Sequence, residues 1–344
     1  MKHIFLTLML MLSMTNAAFS ASISERQKRE QLDEIIARIN EHYVLESSLS
    51  AINNALETFA KSKSFNQIQN KREFSEALTE QLHVFDKHFT VRWRDPNAPE
   101  VSASGKEPWT QKVARQNYGF AAVENLAGNV GYINLRAFAE LTPTTRALAD
   151  AAVTLVKDSD VVIIDLRENG GGSPDMVRFF SSFLLDKRTH LNSFYHRDSD
   201  NMTEFWTMDE VPSWLAATPL YLLTSENTFS AAEEFAYNLK HLKRATLVGE
   251  VTRGGANPWQ YFPTSDNFDV GIPTAMAVNP ITNTNWEGKG VTPHIKVSAD
   301  SAKSRAYEEA LSWLSSRVEN YAKEDVEVAL GKIKASKAVP SGTQ

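Results

Sequence analysis

The stretch from Val161 to Pro174 constrains this chain's fold more than any other. Val161 to Leu166 reads as a short buried strand. Asp165-Leu166-Arg167-Glu168-Asn169-Gly170-Gly171-Gly172 carries it into three consecutive glycines, and Ser173-Pro174 then opens a helix. The succession repeats further on: Leu220 to Leu223 reads as strand, Ser230 to Leu242 as helix and Ala245 to Val248 as strand. Upstream, Tyr118 to Leu126 and Val130 to Leu135 read as strands joined at Ala127-Gly128-Asn129, and Thr142-Pro143 starts a helix carrying Leu148, Ala151, Ala152 and Leu155. This β-turn-α rhythm predicts a layered α/β core. A β-rich segment at about 258–297 and helix near 301–335 complete it, with loose final residues.

Ahead of the core the period is different. Leu32, Ile35, Ile36, Ile39 and Tyr43 make one helical stripe, Leu49, Ile52, Leu56 and Phe59 a second, and Phe74, Leu78, Leu82 and Phe85 a third. His88, Thr90 and Arg92 then alternate with Phe89, Val91 and Trp93, a strand pattern. The expected organisation is a small helical domain ending in a strand over 24–92, a linker over 93–116 containing Pro96, Pro99 and Pro108, a core over 117–300, and C-terminal helices with a tail over 301–344.

The first twenty residues have another purpose. Lys2 and His3 precede an apolar run, Ile4 to Leu12, and Ala18-Phe19-Ser20 offers a cleavage site, so residues 1–20 are expected to be a secretory signal. The run is too short to span a bilayer as a mature helix, and no other stretch is long or apolar enough. Export to a periplasm or the extracellular space is the expectation, with no membrane insertion after cleavage. The chain has no cysteine, which excludes disulfides, thiolate catalysis and Cys-based zinc sites. Its 344 residues, 42% hydrophobic, suffice for a core that needs no cross-links. A net charge of −6 without like-charge blocks gives no sign of a nucleic-acid or membrane-surface partner.

Three segments can carry chemistry. The glycine run lets backbone N–H groups approach a ligand, where they stabilise an oxyanion or cradle a phosphate; a tight turn needing positive φ explains it equally. Ser230 follows a strand and opens a helix, a position that suits a nucleophile. With Glu233 three residues on, it is also a good capping box, and the segment alone favours the cap. Phe229 and Ala231 flank it, so the G-x-S-x-G elbow is absent. A serine nucleophile needs a base, and spacing does not separate His42, His83, His88, His190, His196, His241 and His294. In Trp286-Glu287-Gly288-Lys289-Gly290-Val291-Thr292-Pro293, Glu287 could orient an imidazole or be an ordinary loop carboxylate. No H-E-x-x-H, EF-hand loop or P-loop occurs, so neither metal nor cofactor is implied.

Taken in order, Asp86-Lys87-His88, Gly131-Tyr132-Ile133, Asp165 to Gly172, Phe229-Ser230-Ala231-Ala232-Glu233, Val248-Gly249-Glu250-Val251-Thr252 and Glu287-Gly288-Lys289-Gly290-Val291-Thr292-Pro293 resemble the tail-specific, or C-terminal processing, serine peptidases. The resemblance is to the branch related to interphotoreceptor retinoid-binding protein and the tricorn protease core. It implies a crotonase-like (ClpP/crotonase type) layered core and hydrolysis of a peptide or protein substrate through an acyl-enzyme. It further implies Ser230 as nucleophile, His88 as base, Glu287 orienting it, and an oxyanion hole from the N–H groups of Ala231 and Gly171, with Gly170 as neighbour. The stretch Arg253 to Asn257 lacks the lysine that serves as base in the family's other branch. Lys87, Glu168 and His294 depart from the usual pattern, and 93–118 leaves no room for the family's PDZ domain. A non-catalytic carrier of apolar ligands on the same fold, or an acyl-CoA enzyme of the crotonase kind, are the alternatives.

Overall fold

The computed structural model describes residues 21–97 and 108–338, so the expected signal segment and the end of the tail lie outside the described residues. The chain forms two units. The smaller comprises Met1–Trp109, Tyr195–Met202 and Asn257–Met276, and the larger Thr110–Phe194, Thr203–Ala256 and Ala277–Gln344.

In the smaller unit the three apolar stripes lie on helices Glu25–His42, Leu49–Ala60 and Lys71–Leu82, with a short helix Lys63–Gln67 between the last two. Local chemistry fixes where they start. Ser24 and Gln27 form a reciprocal capping box, and Asn70 Oδ1 accepts the Glu73 N–H at 2.8 Å. Ile35, Ile39, Ile52, Leu56, Phe74, Leu78 and Leu82 are all buried. Edge-to-face rings run from Phe59 through Phe65 and Phe74 to Phe268 at centroid spacings of 5.5, 5.9 and 5.7 Å. Lys28 is buried as well. Its ammonium donates to the carbonyls of Phe65 at 2.7 Å and Ile68 at 3.0 Å, so the end of the short helix is satisfied by a side chain rather than by water.

The helices pack on an antiparallel sheet in which Thr90–Trp93 pairs with Phe268–Pro273, and that strand with Trp259–Pro263. Val91, Trp93, Phe268, Val270 and Ile272 join the helical core. The strand begins at Thr90, and His88 lies in the turn before it. Two of the three strands come from residues 257–276, far from the helices in sequence and within the stretch 117–300 that was expected to form the core.

The larger unit is built on a six-stranded sheet in the order Ile295–Lys296, Thr246–Gly249, Leu220–Thr224, Val161–Asp165, Val130–Leu135, Phe120–Leu126. All neighbours are parallel except the last pair, the hairpin read from Ala127-Gly128-Asn129. Val161–Asp165 is buried at every residue, as expected of a central strand covered on both faces. Val130, Tyr132, Val161, Ile163, Leu223 and Val248 meet Ala302, Ala306, Ala310, Leu311 and Leu314 of helix Ala299–Ser315. Helix Pro143–Val156 approaches Gly131 so closely that a Cβ there would stand 2.8 Å from the Val156 Cβ. Phe235 of helix Ala231–His241 packs on Phe138 and on Phe180 of helix Pro174–Ser182. The chain is thus a mixed α/β fold with a helical N-terminal region, as the rhythm predicted. One helix, Trp109–Arg115, falls within the stretch expected to be linker; its single buried anchor, Val113, is too little for a period to reveal.

Candidate active site

Parallel strands bring their carboxyl ends to one edge of the sheet, where ligands of open α/β folds are bound. The loops after Asp165, Thr224 and Gly249 meet there, and polar side chains stitch them together. Thr228 Oγ1 donates to the Leu166 carbonyl at 2.8 Å, Ser225 Oγ to the Arg167 carbonyl at 2.5 Å, and Phe229 N to the Asn169 carbonyl at 3.0 Å. Asp165 is structural. Its carboxylate accepts the Tyr132 hydroxyl at 2.6 Å and the Arg167 Nη2 at 2.7 Å. Burial alone would raise its pKa, but the hydrogen bonds from Arg167 and Tyr132 outweigh that and hold it below the usual carboxylate value. Arg167 then donates to the Ala299 carbonyl at 2.6 Å, fixing the start of the C-terminal helix.

The glycine run is shaped by contact. Gly171 has φ +100°, and a Cβ on it would lie 2.8 Å from both the Phe229 carbonyl oxygen and the Ser230 Cβ. Only glycine lets this loop lie against Ser230. Gly172, at φ +140°, would place a Cβ 1.9 Å from the Phe138 oxygen, and that oxygen accepts the Ser173 N–H at 2.7 Å. Asn169, which the sequence reading gave no role, sets the loop from inside. Its Nδ2 donates to the Leu135 carbonyl at 2.9 Å, and its Oδ1 accepts the Gly171 N–H at 2.8 Å. Among the described residues nothing stands within 4 Å of where a Gly170 Cβ would be, its chain neighbours aside.

Ser230 holds φ 54° and ψ −122°, a conformation that L-residues avoid and that persists only where the surroundings impose it. It is the cap of helix Ala231–His241, whose first N–H groups have no intrahelical acceptor. The sequence saw Glu233 as the other half of a capping box, and it does accept the Ser230 N–H at 3.0 Å. It does more. Its fully buried carboxylate also takes the Gly254 N–H at 2.7 Å, the Gly255 N–H at 2.8 Å and the Thr252 hydroxyl. Burial raises its pKa, and these four hydrogen bonds oppose the rise.

The next amide along holds Glu287, since Ala256 N–H donates to Glu287 Oε2 at 2.6 Å. Trp286 Nε1 to the Gly255 carbonyl at 2.9 Å and Gly288 N to the Gly254 carbonyl at 3.0 Å lock the two loops. Adjacent amides, Gly255 and Ala256, therefore hold the carboxylates of Glu233 and Glu287.

His88 belongs to the smaller unit. It is buried, its backbone N–H donates to Asp86 Oδ1 at 2.9 Å, and its Nδ1 lies 3.4 Å from the same oxygen. Asp86 is itself buried and accepts from Asn257 Nδ2 at 2.8 Å. Asp86 and Asn257 are 171 residues apart in sequence, so no local signal pairs them. Several other histidines have structural partners. His42 stacks on Phe262, His83 bonds the Phe89 carbonyl, His190 lies flat on Trp206, and His294 accepts the Leu247 N–H through Nδ1.

Among the expected site residues, Ser230, Ala231 and Gly171 come together in the larger unit, Gly170 precedes Gly171 in the chain, and Glu287 is tied to Ser230 through the Glu233 amide chain. Residues 129–297 match the family described as peptidase family S41. Carboxyl-terminal-processing peptidase 2 of the Arabidopsis thaliana chloroplast is 28% identical over 228 residues, which is 62% of this chain and 43% of that one. The chain spans less than half the length of the curated relatives it matches. A crystal structure of a putative peptidase from Parabacteroides merdae aligns with TM-score 0.58 at 18% identity, covering 92% of this chain and 99% of that one. The tricorn protease structure aligns at 0.51 and 12% identity, over 90% of this chain and 37% of the tricorn chain. These two likenesses establish a shared fold. Five of the six expected site residues, all but His88, fall in residues 129–297, the segment that matches peptidase family S41.

Proposed function

We propose that the protein is an exported serine peptidase that hydrolyses peptide bonds through an acyl-enzyme. The observation that carries this is Ser230, held at positive φ as the cap of a buried helix with the Gly171 backbone against it, inside the segment that matches peptidase family S41. Ser230 Oγ attacks the scissile carbonyl and His88 takes its proton. His88 then returns that proton to the leaving amine, and water repeats the sequence to release the acyl group. Glu287 is the orienting carboxylate. Asp86, against the His88 backbone and ring, is a second positioning group.

The oxyanion forms between the Ala231 N–H and the glycine run. In the resting enzyme Gly171 N–H is given to Asn169 Oδ1, so it serves the oxyanion by exchanging that acceptor for a charged one. Support for export comes from residues 1–20. Among the described residues no helix is long and apolar enough to cross a membrane.

A fluorophosphonate probe with mass mapping tests the reading. Ser230 should carry the adduct, and both Ser230→Ala and His88→Ala should abolish labelling and peptide hydrolysis. A Ser230→Ala variant that still cleaves peptides would overturn the assignment. A wild-type protein that never labels would favour the apolar-ligand carrier.

A further inference from the structure

At the opposite end of the sheet from Ser230, where strands Leu220–Thr224 and Thr246–Gly249 begin, lies a cavity of about 350 Å³. Four of its lining residues are basic: Lys240, Lys243, Arg244 and His294. Tyr221 and Trp313 form an aromatic wall, and no Asp or Glu lines it. The chain as a whole carries a net charge of −6, so this is a local reversal of sign.

Basic groups after a helix end are often there only to complement the helix dipole. That does not account for this set. Lys240 is in the last turn of helix Ala231–His241, but Lys243 and Arg244 come after its end and His294 arrives from a separate segment. Lys240, Arg244 and His294 are also held in place. Lys240 Nζ donates to the Thr292 carbonyl at 2.6 Å. Arg244 donates through Nε to the Leu184 carbonyl at 2.7 Å and through Nη2 to the carbonyls of Thr218 at 2.7 Å and Leu215. His294 Nδ1 accepts the Leu247 N–H at 3.0 Å, and this fixes the ring's own proton on Nε2. The crowding has a cost: burial first, then Lys240 beside them, lower the pKa of His241 and His294. An anion in the cavity would relieve this repulsion.

We infer that this cavity is a binding site for a small organic oxyanion, a phosphate or carboxylate carried on a ring or chain that lies against Trp313. The site is distinct from Ser230 and its surroundings, and the inference does not depend on the peptidase reading.

The test is calorimetric titration of the full protein with inorganic phosphate and with phenyl phosphate. Both should bind saturably, phenyl phosphate more tightly because it adds the aromatic contact. Lys243→Glu, an exposed position, should weaken both by at least about tenfold, and Trp313→Leu should remove the preference for phenyl phosphate. Hydrolysis by the Ser230 site should be unaffected by Lys243→Glu. Absence of saturable binding into the millimolar range, or binding that Lys243→Glu and Lys240→Met both leave intact, would overturn the inference.

Discussion

Glu233 and Glu234 are sequence neighbours on the same helix, both buried, and burial raises the pKa of each; they differ in what opposes the rise. Glu233 is surrounded by donors that favour its ionised form. Glu234 is not: burial pushes its pKa up to about 8, the nearby Asp175 adds to the rise, and Asn192 beside it only partly opposes it. At neutral pH the folded protein therefore keeps a proton there that the unfolded chain has released. A raised carboxyl pKa gives stability that is complete below the ordinary value of 4.5 and is lost as pH climbs through 8. Over that window wild-type stability should fall by a few kcal/mol on this group's account. Glu234→Gln, which cannot ionise, should match wild type at pH 5 and exceed it at pH 8.5 in urea unfolding. Parallel pH profiles for the two proteins would mean that Glu234 is ionised in the fold. The sequence held no sign of this contrast, because it depends on what packs against each side chain rather than on their position in the helix.

At the scale of elements, much of the site was readable. Strand, glycine run and helix start were visible as Val161–Gly172, and the order of motifs pointed to Ser230. What local pattern could not show is how the loops are held. A capping box predicts one bond from Glu233, yet three of its four partners lie 19 to 22 residues downstream. The geometry makes a sharp demand on residue type. Oε1 accepts from Thr252 and Gly254, and Oε2 from Gly255 and Ser230, so each oxygen faces two donors. A glutamine in that place would turn an NH₂ toward at least one backbone N–H whichever way its amide is flipped. Glu233→Gln should therefore destabilise nearly as much as Glu233→Ala, each by about 3–5 kcal/mol. Loss of the Ser230 conformation should follow, read as loss of fluorophosphonate labelling. A Gln variant with wild-type melting temperature would show that Glu233 is protonated in the fold and acts only as a spacer. Asn169 teaches a similar lesson. Its place beside three glycines hinted at a turn, but its bonds to Leu135 and Gly171 required the sheet to be assembled first.

Across the whole molecule, the helices of the smaller unit were the most legible part, because an amphipathic period is local information. Its sheet was not. Thr90–Trp93 finds its partner in Phe268–Pro273, and Arg92 pairs with Asp269 at a sequence separation of 177. A reading that cuts the chain into consecutive domains assigns 257–276 to the core that precedes and follows it. Packing decides otherwise, since Phe268, Val270 and Ile272 are buried with Leu32, Phe74 and Leu78. Phe268 ends the aromatic run through Phe74, so truncating it leaves a cavity among rigid rings. Phe268→Ala should cost about 3–5 kcal/mol, and the loss should be felt by helices nearly two hundred residues away in sequence. Hydrogen exchange can see this directly. Amides of Leu32–Leu82 should lose protection in the variant, whereas those of the central strand Val161–Asp165 should change much less. If 257–276 were only a surface excursion of the larger unit, the cost would be below about 1 kcal/mol, and the N-terminal helices would exchange as in wild type.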